Sequence, residues 1–194
     1  MDAHPNTIIR FWQQFEVLAP QIAAQATDEL IDELDQLIAT LGEYSWEIGP
    51  YEANSLYIAL SPNLNVDLVR SIETIVAAAP AIPGWVAIVG KPRKPEVAEV
   101  WYMTAPNGTE IAINTKAWDC VLYKFPDGIY ELDVRLQGTS LPEDLQWMAM
   151  DTHMVNLLGE FTYLTKIETV KIVAQFDVHG RGQSIPVNAL PQVL

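Results

Sequence analysis

Basic residues are scarce in this chain. Eleven Lys and Arg stand against 25 Asp and Glu over 194 residues, a formal charge of −14 and a pI near 4.4. Such a surface repels nucleic-acid phosphates and anionic membranes, so neither is an expected partner. Cysteine is almost missing: Cys120 stands alone, which excludes an intramolecular disulfide and a thiolate metal site. Long apolar runs are missing too. The longest uncharged stretch, residues 74–90, is interrupted by Pro80 and Pro83 and falls short of the roughly 20 residues a spanning helix needs. The N-terminus shows no basic segment followed by an apolar one, so a cytoplasmic, prokaryotic setting is expected. The dinucleotide fingerprint G-x-G-x-x-G, the phosphate loop G-x-x-x-x-G-K-[ST], the nucleophile elbow G-x-S-x-G and the zinc pattern H-E-x-x-H are all missing. No cofactor or metal is expected on this basis.

What is present is the composition of a folded protein, 49% apolar with six Trp, seven Tyr and five Phe. Helical spacing of Ile8, Ile9, Trp12, Phe15 and Leu18 predicts a first helix capped at Asn6 and broken or restarted at Pro20. Thr27 caps a second helix, with Leu30, Ile31, Leu34, Leu37, Ile38 and Leu41 on one face and Gly42 at its stop. Asp28, Glu29, Asp32, Glu33 and Asp35 near its start complement the helix dipole. They read as a solvated face in preference to a docking strip for a basic partner or a divalent cation.

From residue 43 the period changes. Residues 43–94 read as strand, turn, strand, helix, strand. Residues 95–117 read as a hairpin turning at Pro106-Asn107-Gly108. Residues 118–176 repeat the β-β-α-β order, with a turn at Pro126-Asp127-Gly128, a capping box from Ser140 to Glu143, a helix stopping at Gly159, and a strand over 166–176. Residues 177–194 read as an extended tail. The expectation is one α+β domain spanning 1–194. It has N-terminal helices over 6–42 followed by two β-β-α-β, ferredoxin-like units with a largely antiparallel sheet.

Chemistry-bearing residues are few. Lys91, Arg93 and Lys94 gather after the glycine that ends the strand WVAIV, but Pro92 and Pro95 lack amide donors and disfavour a phosphate cradle. The segment reads as a stiff basic connector that could pair with the acidic helix, within the chain or across a dimer. Of His4, His153 and His179, only His153 falls in an ordered element, and Asp151 points away from it around the helix. Cys120 shares a strand face with Trp118 and Leu122 and reads as a buried, inert thiol.

Several segments together resemble a family of uncharacterised bacterial proteins. They are I-x-x-F-W-x-x-F from Ile8, W-E-I-G-P from Trp46, S-P at Ser61, A-P-x-x-P-G-W from Ala79, K-P-R at Lys91, and D-x-x-x-x-x-x-L-G-E from Asp151. The resemblance implies an α+β fold in a bacterial cytosol and carries no catalytic residues. The leading expectation is a non-enzymatic protein-interaction or regulatory module, with a protein partner or a homodimer joined through a sheet edge or helical face. The alternative is a small anionic-ligand-binding protein or enzyme. Its site would lie between the two β-β-α-β units, lined by Lys91, Arg93, Lys94, Arg135 and His153.

Overall fold

The computed structural model describes residues 4–52, 54–138, 140–177 and 183–194, so His179 lies outside the described residues. The protein is a mixed α+β chain with several small sheets. It divides into two compact units, Met1–Pro92 and Arg93–Leu194, and the division falls inside the basic connector.

In the first unit, α1 (Pro5–Ala24) starts two residues earlier than a cap at Asn6 would place it. Its cap is His4, whose Nδ1 accepts from the Asn6 amide at 3.3 Å, with Pro5 in the first turn where no donor is needed. The helix runs through Pro20 instead of breaking there. One missing amide donor so near the end removes a single bond, and buried Ala19 and Ile22 hold the last turn on the core. Helix α2 (Asp28–Ala39) is capped by Thr27, whose Oγ1 accepts from Leu30, and it buries Leu34, Leu37 and Ile38.

Strand β1 (Ser45–Pro50) pairs antiparallel with β2 (Leu56–Ser61). The chain then crosses through α3 (Val66–Ala77), capped by Asn65, to β3 (Trp85–Val89), which runs parallel to β2. β2 is therefore the middle strand. Ile58 faces Ile48 and Ala87, and Leu60 faces Trp46 and Val89, forming one apolar face under the helices. Phe11, Trp12 and Phe15 of α1 cover it. Phe15 meets Trp85 edge-on at 5.2 Å, and the Trp12 indole donates to the Ile75 carbonyl at 2.8 Å.

The second unit opens with a two-stranded ribbon, β4 (Val100–Thr104) and β5 (Glu110–Asn114), which forms its own sheet. The Asn107 side chain accepts from Thr109 at 3.0 Å and closes the Asn-Gly turn. Strands β6 (Asp119–Lys124) and β7 (Tyr130–Arg135) form the next hairpin. Helix α4 (Glu143–Leu158) follows. A short helix, α5 (Glu160–Lys166), then leads into β8 (Ile167–Ile172), parallel to β7. In both units the two parallel strands are direct neighbours, with no strand inserted between them.

Three details differ from the sequence reading. The Ser140–Glu143 capping box does not form: α4 begins at Glu143 itself, after Pro142, with no side-chain cap bond. Residues 160–166 are helical, because Gly159 takes φ 80° and turns the chain into a new helix, and the strand expected over 166–176 spans Ile167–Ile172. Residues 183–194 are not an extended tail. Strand β9 (Ile185–Pro186) pairs with β6, and a 3-10 helix (Val187–Gln192) sinks Val187 and Leu190 fully into the core. Burial of those two side chains in the core cluster outweighs the glycine and proline punctuation around them.

Phe15 is wholly buried at the centre of the aromatic cluster. Phe15→Ala should destabilise the first unit by about 3–5 kcal/mol, the range for a large core aromatic cut to a methyl. Urea unfolding followed by tryptophan fluorescence measures this, and a loss below about 1 kcal/mol would contradict the packing described.

Candidate functional site

The second unit carries a cleft of about 690 Å³, lined in part by Arg135, Gln137, Gln146, Gln175 and Phe176. Hairpin register builds it. The turn at Pro126-Asp127-Gly128 pairs Lys124 with Tyr130, which brings Asp119 directly opposite Arg135. The Arg135 guanidinium grips Asp119 in a two-pronged pair, Nε to Oδ1 at 3.0 Å and Nη2 to Oδ2 at 2.5 Å. The Gln137 amide, with its oxygen toward the guanidinium, accepts from Arg135 at 2.8 Å. The guanidinium carbon also lies 4.8 Å from the centre of the buried Phe176 ring. Burial pulls the Asp119 carboxyl up, but the hydrogen bonds and charge of Arg135 outweigh it and hold the group below the usual carboxylate range. Arg135 is thus a compensated cation on the cleft wall.

The other expected residues do not converge on this cleft. Lys91 is half-buried just after β3, at the end of the first unit. Arg93 is exposed. The Lys94 amide donates to the Asn156 carbonyl at 2.9 Å, tying the connector to α4. Lys94 also lines a small pocket of about 90 Å³ with Glu96, Trp101 and Asn156. His153 is completely buried in α4, its Nε2 2.9 Å from Asn188 Oδ1 and its ring edge-on to Trp118 at 5.4 Å. Burial lowers its pKa, with the Asn188 hydrogen bond acting in the opposite sense.

Nearby side chains are committed elsewhere. Asp151 accepts from the Tyr163 hydroxyl at 2.7 Å, away from His153. Burial raises the Asp151 carboxyl and also, with the neighbouring Asp151 charge, the Tyr163 hydroxyl. Cys120 is fully buried, and burial followed by the Asp119 charge pushes its thiol up to about 12, which suits a packing residue and opposes a nucleophile. Among the described residues no group of three or more His, Cys, Asp or Glu is placed to hold a metal ion, and no helix is long and apolar enough to cross a membrane.

Sequence reading named Arg135 but missed Asp119, Gln137 and Phe176. The recoverable signal was the Pro-Asp-Gly turn, which fixes the register and hence the Asp119–Arg135 pairing. No family model, curated protein or solved structure matches the chain.

A carboxyl held below its ordinary 3.8 stabilises the fold fully above that value, and the contribution is lost as pH falls through the lower folded value. Arg135→Met should therefore flatten the acid limb of the pH–stability curve below about pH 4. Thermal unfolding between pH 3 and 7 checks this, and an acid limb identical to wild type would show that the pair contributes nothing. Cys120 should resist a thiol reagent in the native protein and react fully in denaturant. Rapid labelling of the native protein would contradict its burial.

Proposed function

We propose that this protein is a non-enzymatic interaction module that docks a protein partner through the β4–β5 ribbon. One observation carries the proposal. The ribbon pairs with no further strand among the described residues, and its outer face exposes Val100 and Tyr102, at 49% and 68%. Tyr102 stands opposite Ala112 and Val100 opposite Asn114, so the apolar atoms adjoin. The other face, with Trp101, Met103, Ile111 and Ile113, packs on the core and holds the ribbon in place. A supported strand pair with unpaired edges and an exposed aromatic suits strand addition or face-to-face docking. Tyrosine is also a residue type that recurs at binding hot spots.

The −14 charge favours a basic partner and a salt-sensitive encounter. A second copy of the chain is the other occupant compatible with the edge. Kinship with uncharacterised bacterial proteins and a cytoplasmic setting belong to the same proposal. So does the repeated topology of the two units, each a hairpin, a helical crossover and a strand parallel to its neighbour.

A second reading rests on the cleft. Its volume lies in the range of small-molecule sites, and Arg135 could meet an anionic ligand there. The bidentate pair with Asp119 weakens that reading, because an anion must compete with a carboxylate already in place.

The double substitution Val100→Glu, Tyr102→Glu separates these readings. It should leave the melting temperature within a few degrees of wild type, since both side chains are exposed. It should weaken association about 30-fold or more, the loss of a hot spot worth about 2 kcal/mol. Sedimentation velocity across a concentration series reads self-association, and capture by the tagged protein from lysate, with and without the substitutions, reads other partners. Association unchanged by the double variant would overturn the ribbon proposal. Stabilisation by small carboxylates that is abolished in Arg135→Met would favour the cleft.

A further inference from the structure

We propose that the contact between His153 and Asn188 is an acid-released latch: acidification undocks the C-terminal segment Ile185–Gln192 from β6 while the rest of the second unit stays folded. The segment is held by few attachments. Strand β9 contributes two pairings, Asp119 with Pro186 and Cys120 with Ile185. The Val187 amide donates to the Trp118 carbonyl at 3.1 Å. Val187 and Leu190 are fully buried, and Asn188 meets His153 at 2.9 Å. His153 therefore joins α4 to the segment at the point where the segment covers the start of β6.

The ring is poorly placed to carry charge. With Asn188 Oδ1 accepting from Nε2–H, Nδ1 is the bare acceptor of a neutral imidazole. That atom is buried without a hydrogen-bond partner, which a neutral ring tolerates at modest cost. Protonation would place an N–H donor and a positive charge there, facing no acceptor. The charge is best solvated if the covering segment leaves.

Among the described residues no carboxylate is placed to compensate the ring. On α4, Asp151 takes the Tyr163 hydroxyl. On β6, Asp119 takes Arg135. On the ribbon that shares this core, Glu99 and Glu110 are exposed. Residues 187–192 carry no ionisable side chain. Burial lowers the ring, and the opposing effect is the Asn188 hydrogen bond, with no contribution from these groups or from Glu160 at the head of α5. For a base with a depressed folded pKa, stability is fully present above its ordinary 6.5 and is lost as pH falls through the folded value. The latch accordingly opens on the acid side of 6.5.

Amide hydrogen exchange of the full chain, read by peptide mass and corrected for intrinsic rate, tests this between pH 7.5 and 4.5. In wild type, protection of 185–192 should fall by up to about tenfold per pH unit once the ring titrates, the slope of one coupled proton. Peptides from β7 and α4 should hold their protection over the same range. His153→Gln keeps an amide donor for Asn188 and cannot ionise, so its 185–192 protection should be flat with pH. Loss of protection in β7 and α4 together with 185–192, a flat wild-type profile, or an equal fall in His153→Gln would each overturn the latch. Should His153→Gln fail to fold, Asn188→Asp takes its place. It sets a carboxylate against the ring, so protonation strengthens the clasp and 185–192 should gain protection as pH falls from 7.5 toward 5. Loss of protection in that variant matching wild type would overturn the latch equally.

Discussion

Ile58 and Leu60 lie on the middle strand of a three-stranded sheet, and keeping their face out of water is the constraint on which the first unit is built. A sheet this small cannot bury a face by itself. Helix α3 alone contributes Ile72 and Ile75 over part of it, and α1 and α2 supply the remainder through Phe11, Trp12, Phe15, Leu34 and Ile38. Each fully buried aliphatic side chain contributes about 1.5–3 kcal/mol, so the N-terminal helices are integral to the core. The second unit meets the same constraint with other material. Leu132 and Val134 lie on β7, one of the two inner strands of its four-stranded sheet, and α4, the inner face of the ribbon and the terminal 3-10 helix complete the core around them.

That difference in covering material explains what was legible. The β-hairpins were readable because Asn107-Gly108 and Asp127-Gly128 determine turn geometry locally, and register follows from it. The amphipathic stripes of α1, α2 and α3 were readable because each helix buries a single face. Helix α4 buries residues around much of its circumference, His153 among them, so a polar side chain in its sequence gave no hint of complete burial. The docking of Val187 and Leu190 was illegible for a similar reason. Two apolar residues three apart define no period, and their burial depends on β6 and α4, which are distant in sequence.

The candidate site was half legible. Arg135 stood out as a rare cation, but its partner came from strand pairing, and the expected convergence of Arg135 with His153 fails because they serve opposite faces of the β6–β7 hairpin. Asp119 and Arg135 lie on the polar face, while Trp118 and Cys120, one residue to either side of Asp119, turn inward toward the core that holds His153. Period-two alternation separates them, and no rotamer change crosses a sheet.

The same alternation bears on what the molecule can do. Arg135 is compensated by Asp119, Asp151 is bonded to Tyr163, and the Cys120 thiol is protonated and enclosed. These are the groups that would ordinarily supply a charge, a base or a nucleophile, and each is tied into a core or a ladder. The features left facing solvent are of another kind: an unpaired ribbon carrying Tyr102, and an acidic surface concentrated in residues 1–92, where twelve carboxylates stand against three cations. Charge at long range and an apolar strand face at short range are the two components of protein association, the first governing encounter and the second residence. The docking role proposed for the ribbon rests on these two outward features, with Arg135, Asp151 and Cys120 each tied into a ladder or a core.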